Sequence, residues 1–401
     1  MGGFCIRPLL LRIYYKNSTM LFRILLYAVL ADFYIFFRYV WRKCRLSTRI
    51  LYAIFSLLTY VFSVLLFRTY FLTDSVSELY EIGIVLGVFL SVFVSKMIFF
   101  MVDVWTLIFK TKVLKWIAVG LTAWGFLSCM YGMMFGRFNI STKRVTVENK
   151  SLPRNFDGYK VLQISDLHLS SFYGDEKVVS EWVDMMNAEN PDIICMTGDI
   201  VAVFADEMLP YMDDLKRLKA KDGKYAILGN HDYGDYHRWK TEEEKEAHNE
   251  RLRSLIRSAG FDLLLDEYRL LTKEGDTLAV VGLENKGESP REDKNGNLER
   301  AETGLTVDTR LLLSHDPDLW EMHLNGDTKY FLTLSGHTHA MQAGIEIGDW
   351  EFSLSVLKYP YWHGLYERNG NQIFVSRGIG CNVIPIRFGM TPEYAVITLK
   401  R

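Results

Sequence analysis

The chain carries two kinds of hydrophobic pattern. Up to about residue 140, apolar residues run almost unbroken. Residues 116–136 contain no charge, and residues 50–67 form a second uncharged run. Both are long enough to cross about 30 Å of hydrocarbon. Residues 82–102 hold one charge, Lys96, while residues 21–41 are interrupted by Arg23, Asp32 and Arg38. The pattern predicts an all-α transmembrane bundle of about four spans (21–41, 50–67, 82–102 and 116–136) in a multi-pass domain over 1–140. A cleaved signal peptide fits poorly, because the apolar segments continue to residue 136.

Beyond residue 140 the apolar runs shorten and end in polar residues. Runs at 159–164, 192–197, 225–228, 278–283, 310–313, 330–334, 372–376 and 394–399 read as strands. Segments at about 176–189, 206–220 and 241–259 have helical period or composition. Alternating strands and helices predict a layered α/β domain over 141–401. The polar stretch 284–308 reads as a long surface loop.

Charge separates the same two parts. Residues 1–140 hold 15 Lys/Arg and 5 Asp/Glu, a net of +10, whereas residues 141–401 carry a net of −12 and all nine histidines. An acidic second part argues against nucleic acid as a partner. Five cysteines, of which Cys5, Cys44 and Cys129 fall in the apolar part, show no disulfide or zinc spacing. Basic loops at 42–49 and 110–115 place those loops in the cytoplasm and the second part on the extracytoplasmic face. Arg7, Arg12 and Lys16, with Arg137, Lys143 and Arg144, count against that orientation.

Within the spans, Asp32 and Lys96 read either as an ion path or as a pair between helices. Arg23 and Arg38 read as side chains reaching toward the headgroups. Gly83-x-x-x-Gly87 and Gly132-x-x-x-Gly136 are small-residue spacings suited to close helix packing.

Chemistry gathers just past the predicted strands. Asp166-Leu167-His168 follows the first, Gly198-Asp199 the second and Gly229-Asn230-His231-Asp232 the third. His315-Asp316 and Gly336-His337-Thr338-His339 follow the fifth and sixth. Loops at the carboxyl ends of neighbouring strands converge on ligand sites. Carboxylates, imidazoles and an Asn carbonyl without a thiolate suit a divalent ion such as Mn, Fe or Zn.

These five blocks, in this order, resemble the calcineurin-like metallophosphoesterases. The stretch Ser314-His315-Asp316-Pro317-Asp318, the segment Ser376-Arg377-Gly378-Ile379-Gly380 and the late Arg387-Phe388 resemble a bacterial membrane-attached branch. The likeness covers about residues 145–401. One departure is Ala340-Met341-Gln342, where that branch has Gly-Gly-Gln. The resemblance implies a four-layer αββα sandwich and a pair of divalent metal ions. One metal would take Asp166, His168 and His339, the other Asn230, His315 and His337, with Asp199 bridging. A hydroxide shared by two metals would attack phosphorus. His231 would be the general acid, with Asp232 orienting its ring.

Three functions follow from different classes. The leading one is a membrane-tethered phosphohydrolase of the bacterial cytoplasmic membrane, acting on a lipid-linked or cell-envelope phosphoester or pyrophosphate. Membrane lipids and the phosphorylated substrate are then its partners. The second is a non-catalytic membrane sensor of a phosphorylated ligand. The third is a transporter with a regulatory phosphoesterase-like domain, resting on Asp32 and Lys96 alone. Other residues weigh less. His363 sits in an aromatic stretch that reads as core or as membrane interface. Arg377 and Arg387 read as phosphate contacts or buried pairs. Asp316 and Asp318 read as caps of a helix opened by Pro317. His237, His248 and His323 read as surface histidines.

Overall fold

The computed structural model describes residues 25–285, 296–324, 329–348 and 350–401, without the side chains of 321–323. Two compact units divide after Met134. Arg7, Arg12, Lys16 and Arg23, and the side chain of His323, lie outside the described residues.

The first unit is helical. Residues 25–35 form a helix that runs into a π-helical turn, Phe36–Val40, followed by helices Leu46–Tyr70, Val76–Asp103 and Lys112–Met134. Three apolar segments, Leu46–Tyr70, Val76–Phe109 and Lys112–Phe138, are long enough to cross a membrane. The expected count of four is therefore approximate, since the segment 21–41 begins outside the described residues. The packing is the reverse of a water-soluble bundle. Ser56, Thr59, Ser63, Gly83, Gly87 and Ser91 are buried, while Leu51, Phe55 and Leu57 face outward. Small residues let helix backbones approach, and the large apolar side chains are left for lipid. The charges inside pair with one another. Lys96 Nζ lies 2.9 Å from the Asp32 carboxylate, which also accepts from the hydroxyls of Tyr52 and Tyr60. Arg38 does not reach for headgroups; its Nε lies 3.2 Å from Asp103, a buried carboxylate that also accepts from Tyr34 and Tyr39.

The second unit contains fourteen strands among its described residues. They are β1 (Ser141–Glu148), β2 (Lys160–Ile164), β3 (Ile193–Thr197), β4 (Gly223–Ile227), β5 (Asp262–Leu263), β6 (Glu267–Lys273) and β7 (Asp276–Gly282). They continue as β8 (Arg310–Leu313), β9 (Tyr330–Ser335), β10 (Gly344–Ile347), β11 (Trp350–Ser353), β12 (Gly364–Arg368), β13 (Asn371–Val375) and β14 (Glu393–Lys400). One six-stranded sheet has the order β1-β14-β2-β3-β4-β5, the other β12-β13-β9-β8-β7-β6, and β10-β11 is a separate hairpin.

Period-two alternation sorts side chains into layers. In β2 and β3, Val161, Ile193 and Cys195 face the core between the sheets. Leu162, Ile164, Ile194 and Met196 face a second core with the helices Glu176–Ala188 and Glu242–Ser258. In β8, Leu311 and Leu313 join the central core, and Leu312 packs with Trp320 and Leu324 of the helix Leu319–Leu324. The result is a helix–sheet–sheet–helix sandwich. Every strand-end block lies at the carboxyl end of β2, β3, β4, β8 or β9. β3 runs parallel to both β2 and β4, and β8 parallel to β9, so these ends gather at one edge of the sandwich.

Three further expectations need correction. The helix expected at 206–220 is a 3-10 segment, Ala205–Tyr211, followed by Met212–Arg217. Pro210 lacks the amide an α-helix needs. The stretch 284–308 is not all surface loop. Glu284 and Asn285 are buried and Leu298–Ala301 is helical, while 286–295 lies outside the described residues. His237 and His248 are buried, packed on Trp239, and His248 Nε2 accepts from the Ala205 amide at 2.8 Å.

Candidate metal centre

The strand ends bring two groups of ligand atoms together. Asp166, His168, Asp199 and His339 form one group, and Asp199, His315 and His337 the other. Within each group one ligand atom per residue lies within 4.8 Å of all the others. Asp199 belongs to both. Its Oδ2 stands 3.2 Å from His315 Nε2 and 3.5 Å from His168 Nε2. His168 Nε2 and His339 Nε2 face each other at 3.0 Å, and His339 Nε2 lies 3.3 Å from Asp166 Oδ1. His315 Nδ1 is fixed by the Thr197 carbonyl at 2.7 Å, which leaves Nε2 aimed at the site.

Asn230 opens the turn after β4. Its Nδ2 donates to Tyr236 at 2.7 Å, while its Oδ1 is buried and has no hydrogen-bond partner among the described residues. A buried carbonyl oxygen without a donor is costly unless a cation takes it. That orphaned atom, on the turn that also carries His231, and a cluster of imidazoles and carboxylates with no thiolate fit divalent ions.

Backbone strain is concentrated here. Asp166, His168, Asp199, His337 and His339 all have positive φ, from 38° to 70°. Such conformations cost on the order of 1–3 kcal/mol each and persist only where surroundings impose them. Glycine makes the approach possible. At Gly198, with φ of 89°, a Cβ would meet the Gly229 amide nitrogen at 2.5 Å and His315 Nδ1 at 2.9 Å. At Gly336 a Cβ would overlap Ser165 and the Asp166 carboxylate.

Electrostatics follow from burial. Burial pushes the Asp166 carboxyl up to about 6, with His315 opposing and Asp199 adding to the rise. Burial, aided by His231, pushes His168 down to about 3. Burial and then His168 hold His339 well below the ordinary histidine range. Both rings are therefore neutral, with lone pairs available. Burial alone would lower His315, but the Asp199 and Asp166 carboxylates outweigh it and bring it up to about 10. Burial would raise Asp199, but His315 and His231 hold it well below the carboxylate range.

His231 sits beside these groups. Its amide donates to Asp199 Oδ1 at 2.9 Å, and its Nδ1 lies 2.7 Å from the Ala202 carbonyl. A carbonyl only accepts, so Nδ1 carries hydrogen and Nε2 is the atom free to exchange a proton. Tyr236 stacks on the ring at 3.9 Å, and Asn382 Nδ2 stands 3.3 Å from Nε2. Asp232 does not orient this ring. Its Oδ1 accepts from the Ile200 and Val201 amides at 2.9 and 3.1 Å, and its Oδ2 from Gly229 at 2.9 Å. Burial, reinforced by Asp199, pushes its carboxyl up to about 8. Asp232 thus ties the loop after β3 to the turn after β4.

Several supporting residues were missed in the sequence. Glu207 is buried and accepts from the Ser170, Ala202, Val203 and Phe204 amides at 2.7–3.0 Å, which places the Ala202 carbonyl. Gln342 Oε1 accepts from the Asn382 amide at 2.5 Å, fixing the loop that carries Asn382. The position of Asn382 just after Ser376–Gly380 was its only signal. Arg377 and Arg387 are buried. Arg377 pairs with Glu393 and Glu346, each at 3.0 Å. Arg387 donates to the Arg377 carbonyl at 2.9 Å and stands 3.5 Å from His339 Nδ1. His363 is buried between Glu351 and Glu393. Asp316 Oδ1 accepts from the Asp318 amide at 2.9 Å ahead of the helix Leu319–Leu324.

Sheets that bring six such carboxylate and imidazole side chains together at one edge match a metal-dependent phosphoester hydrolase. The sequence profile described as calcineurin-like phosphoesterase matches residues 159–341. The Bacillus subtilis metallophosphoesterase YkuE is 30% identical over 296 residues, covering 70% of this chain and 94% of that protein. The chain belongs to the calcineurin-like metallophosphoesterases. A transmembrane protein with metallophosphoesterase domain from Danio rerio is 26% identical, over 68% of this chain and 60% of that one. The UDP-2,3-diacylglucosamine pyrophosphatase LpxG of Chlamydia trachomatis is 27% identical, over 63% of this chain and 88% of that one. The three long apolar helices and these relatives support a membrane protein.

Proposed function

We propose that the chain is a membrane-tethered phosphohydrolase that cleaves a phosphoester or pyrophosphate bond of a lipid-linked substrate. Asp166, His168 and His339 would hold one divalent ion, Asn230, His315 and His337 the other, with Asp199 shared. The observation that carries this reading is the single carboxylate of Asp199 facing two separate imidazole groups. Bound there, two divalent ions supply Lewis acidity toward the phosphoryl oxygens and acidify a water. The chain's own residues do the rest. Asp199 offsets cation repulsion, neutral Asn230 adds a ligand without further charge, and His231 Nε2 gives a proton to the leaving oxygen. The Ala202 carbonyl and the Tyr236 ring hold that imidazole in place.

A lipid-linked substrate is favoured by the apolar helices and by the relative named for a diacylglucosamine nucleotide. Loop charges favour the extracytoplasmic face of a bacterial cytoplasmic membrane. The test is turnover by the purified full chain with Mn²⁺ added, on a generic phosphodiester and on a polyprenyl pyrophosphate. Hydrolysis that stops on chelation supports the reading; hydrolysis untouched by chelation contradicts it. A reporter fused after Arg401 decides the face.

A further inference from the structure

The β10–β11 hairpin presents its faces in the reverse of the order that water dictates. Ile345 pairs with Phe352 and Ile347 with Trp350, while Glu346 pairs with Glu351 between them. Alternation puts the two kinds of residue on opposite faces. The charged face pairs with the domain, with Glu351 largely covered and Glu346 still exposed: Glu346 meets Arg377 at 3.0 Å, and Glu351 meets Lys143 at 2.9 Å and also His363. The apolar face is turned out, with Ile347 69% and Trp350 57% exposed. Trp350 and Phe352 stack at 6.2 Å on that outer face. The next turn, Leu354–Leu357, continues it, with Leu357 82% exposed and its polar Ser355 buried. A contiguous outward apolar surface of this kind marks contact with an apolar medium, a membrane or another protein.

Chain connectivity names that medium. The apolar segment Lys112–Phe138 ends two residues before β1, and Lys143 in β1 holds Glu351 at the base of the hairpin. Five residues reach at most about 18 Å, so the hairpin base is leashed to the end of a segment long enough to cross a membrane. Trp350 and the exposed Lys358 just after the turn are residue types suited to the membrane–water interface.

The same surface is joined to the metal centre. Ser353 donates to the carbonyls of Ala340 and Ala343 at 2.6 and 2.9 Å, and Ala340 directly follows His339. The Tyr359 hydroxyl, two residues past Leu357, stands 3.4 Å from His337 Nε2.

We infer that the outward face of β10–β11 and the Leu354–Leu357 turn is a bilayer-contacting surface that brings a lipid-linked phosphate to the metal centre. The contact stands on the reversed hairpin; the delivery rests on the phosphohydrolase reading.

The contact is tested with the full chain in vesicles of phosphatidylethanolamine and phosphatidylglycerol with brominated acyl chains. Subtracting the emission of Trp350→Phe from that of the wild type isolates Trp350. Blue-shifted emission that bromine quenches about twofold or more supports the surface. Water-like emission overturns it. Blue-shifted emission that bromine leaves alone assigns the face to a second copy or another protein, and also overturns it. The delivery is tested with the double variant Ile347→Asp, Leu357→Asp. Turnover of vesicle-embedded undecaprenyl pyrophosphate should fall about tenfold, while hydrolysis of a water-soluble nitrophenyl phosphodiester stays within about twofold. Equal turnover of the lipid by variant and wild type overturns delivery. Failure of the wild type on both substrates would overturn the phosphohydrolase reading and the delivery with it, with the quenching result on the contact standing separately.

Discussion

The Asp199 carboxylate accepts a 2.9 Å hydrogen bond from the backbone amide of His231. The side chain proposed to bridge two metals therefore also sets the position of the proposed proton donor. Oδ1 is used for that amide and Oδ2 faces His315 and His168. Loss of this one carboxylate should disturb both functions together.

His231 is expected to matter most where the leaving group is poor. His231→Gln should lower kcat for an alkyl phosphoester by about 10²–10⁴-fold and for a nitrophenyl ester far less. A leaving-group series on the purified variant checks this; an equal loss across the series would argue for a positional role.

Asp232 should behave as a structural residue. Its carboxylate serves three buried amides, so Asp232→Ala should cost on the order of 2–4 kcal/mol of stability. The expected readout is a lower apparent Tm, with the pH profile of the remaining activity unchanged in shape. A shifted acid limb without lost stability would restore the ring-orienting role.

His363 links stability to pH. Burial alone would lower its pKa, but Glu393 and Glu351 outweigh burial and bring it up to about 9. The charged groups facing it are Glu351 from β11, Glu393 from β14 and Arg377 after β13. A histidine whose folded pKa is raised stabilises fully below its ordinary value near 6.5, and that contribution fades as pH rises through about 9. The gap in apparent Tm between wild type and His363→Gln should therefore be widest near pH 6 and should close by about pH 10. A gap that widens with pH would contradict the assignment.

Two glycines separate backbone freedom from close approach. Gly174, with φ of 82°, has open space where a Cβ would sit, whereas at Gly198 the Cβ meets backbone and His315. Gly174→Ala should cost about 1 kcal/mol and keep activity. Gly198→Ala should cost metal binding as well, measurable by elemental analysis.

The blocks at the strand ends could be read from the sequence because their strands are buried on both faces. β2, β3, β8 and β9 read as apolar runs, each ending at its polar block. β1, β6 and β12 were not seen. Their sequences, such as Ser-Thr-Lys-Arg-Val-Thr-Val-Glu in β1, mix exposed charge with a few buried residues. The insertion of β14 between β1 and β2 also has no local signal, since it joins residues some 230–250 positions apart. Asp232 was misjudged for a related reason: adjacency to His231 suggested a partner, but its partners are the nearby Gly229 amide and two amides about thirty residues away. The burial of His237 and His248 depends on Trp239 and Phe204 folding over them. The reversed hairpin was invisible because four-residue strands with alternating Ile, Glu, Trp and Phe do not say which face turns inward.

The most direct test is metal content and hydrolysis measured together on the full chain, metal-loaded and gel-filtered, as wild type and as Asp199→Asn. The wild-type chain should carry about two divalent ions and hydrolyse the phosphoester, and the variant should lose hydrolysis and hold less metal. A variant that keeps both the metal content and the hydrolysis of the wild type would contradict the bridging role of Asp199.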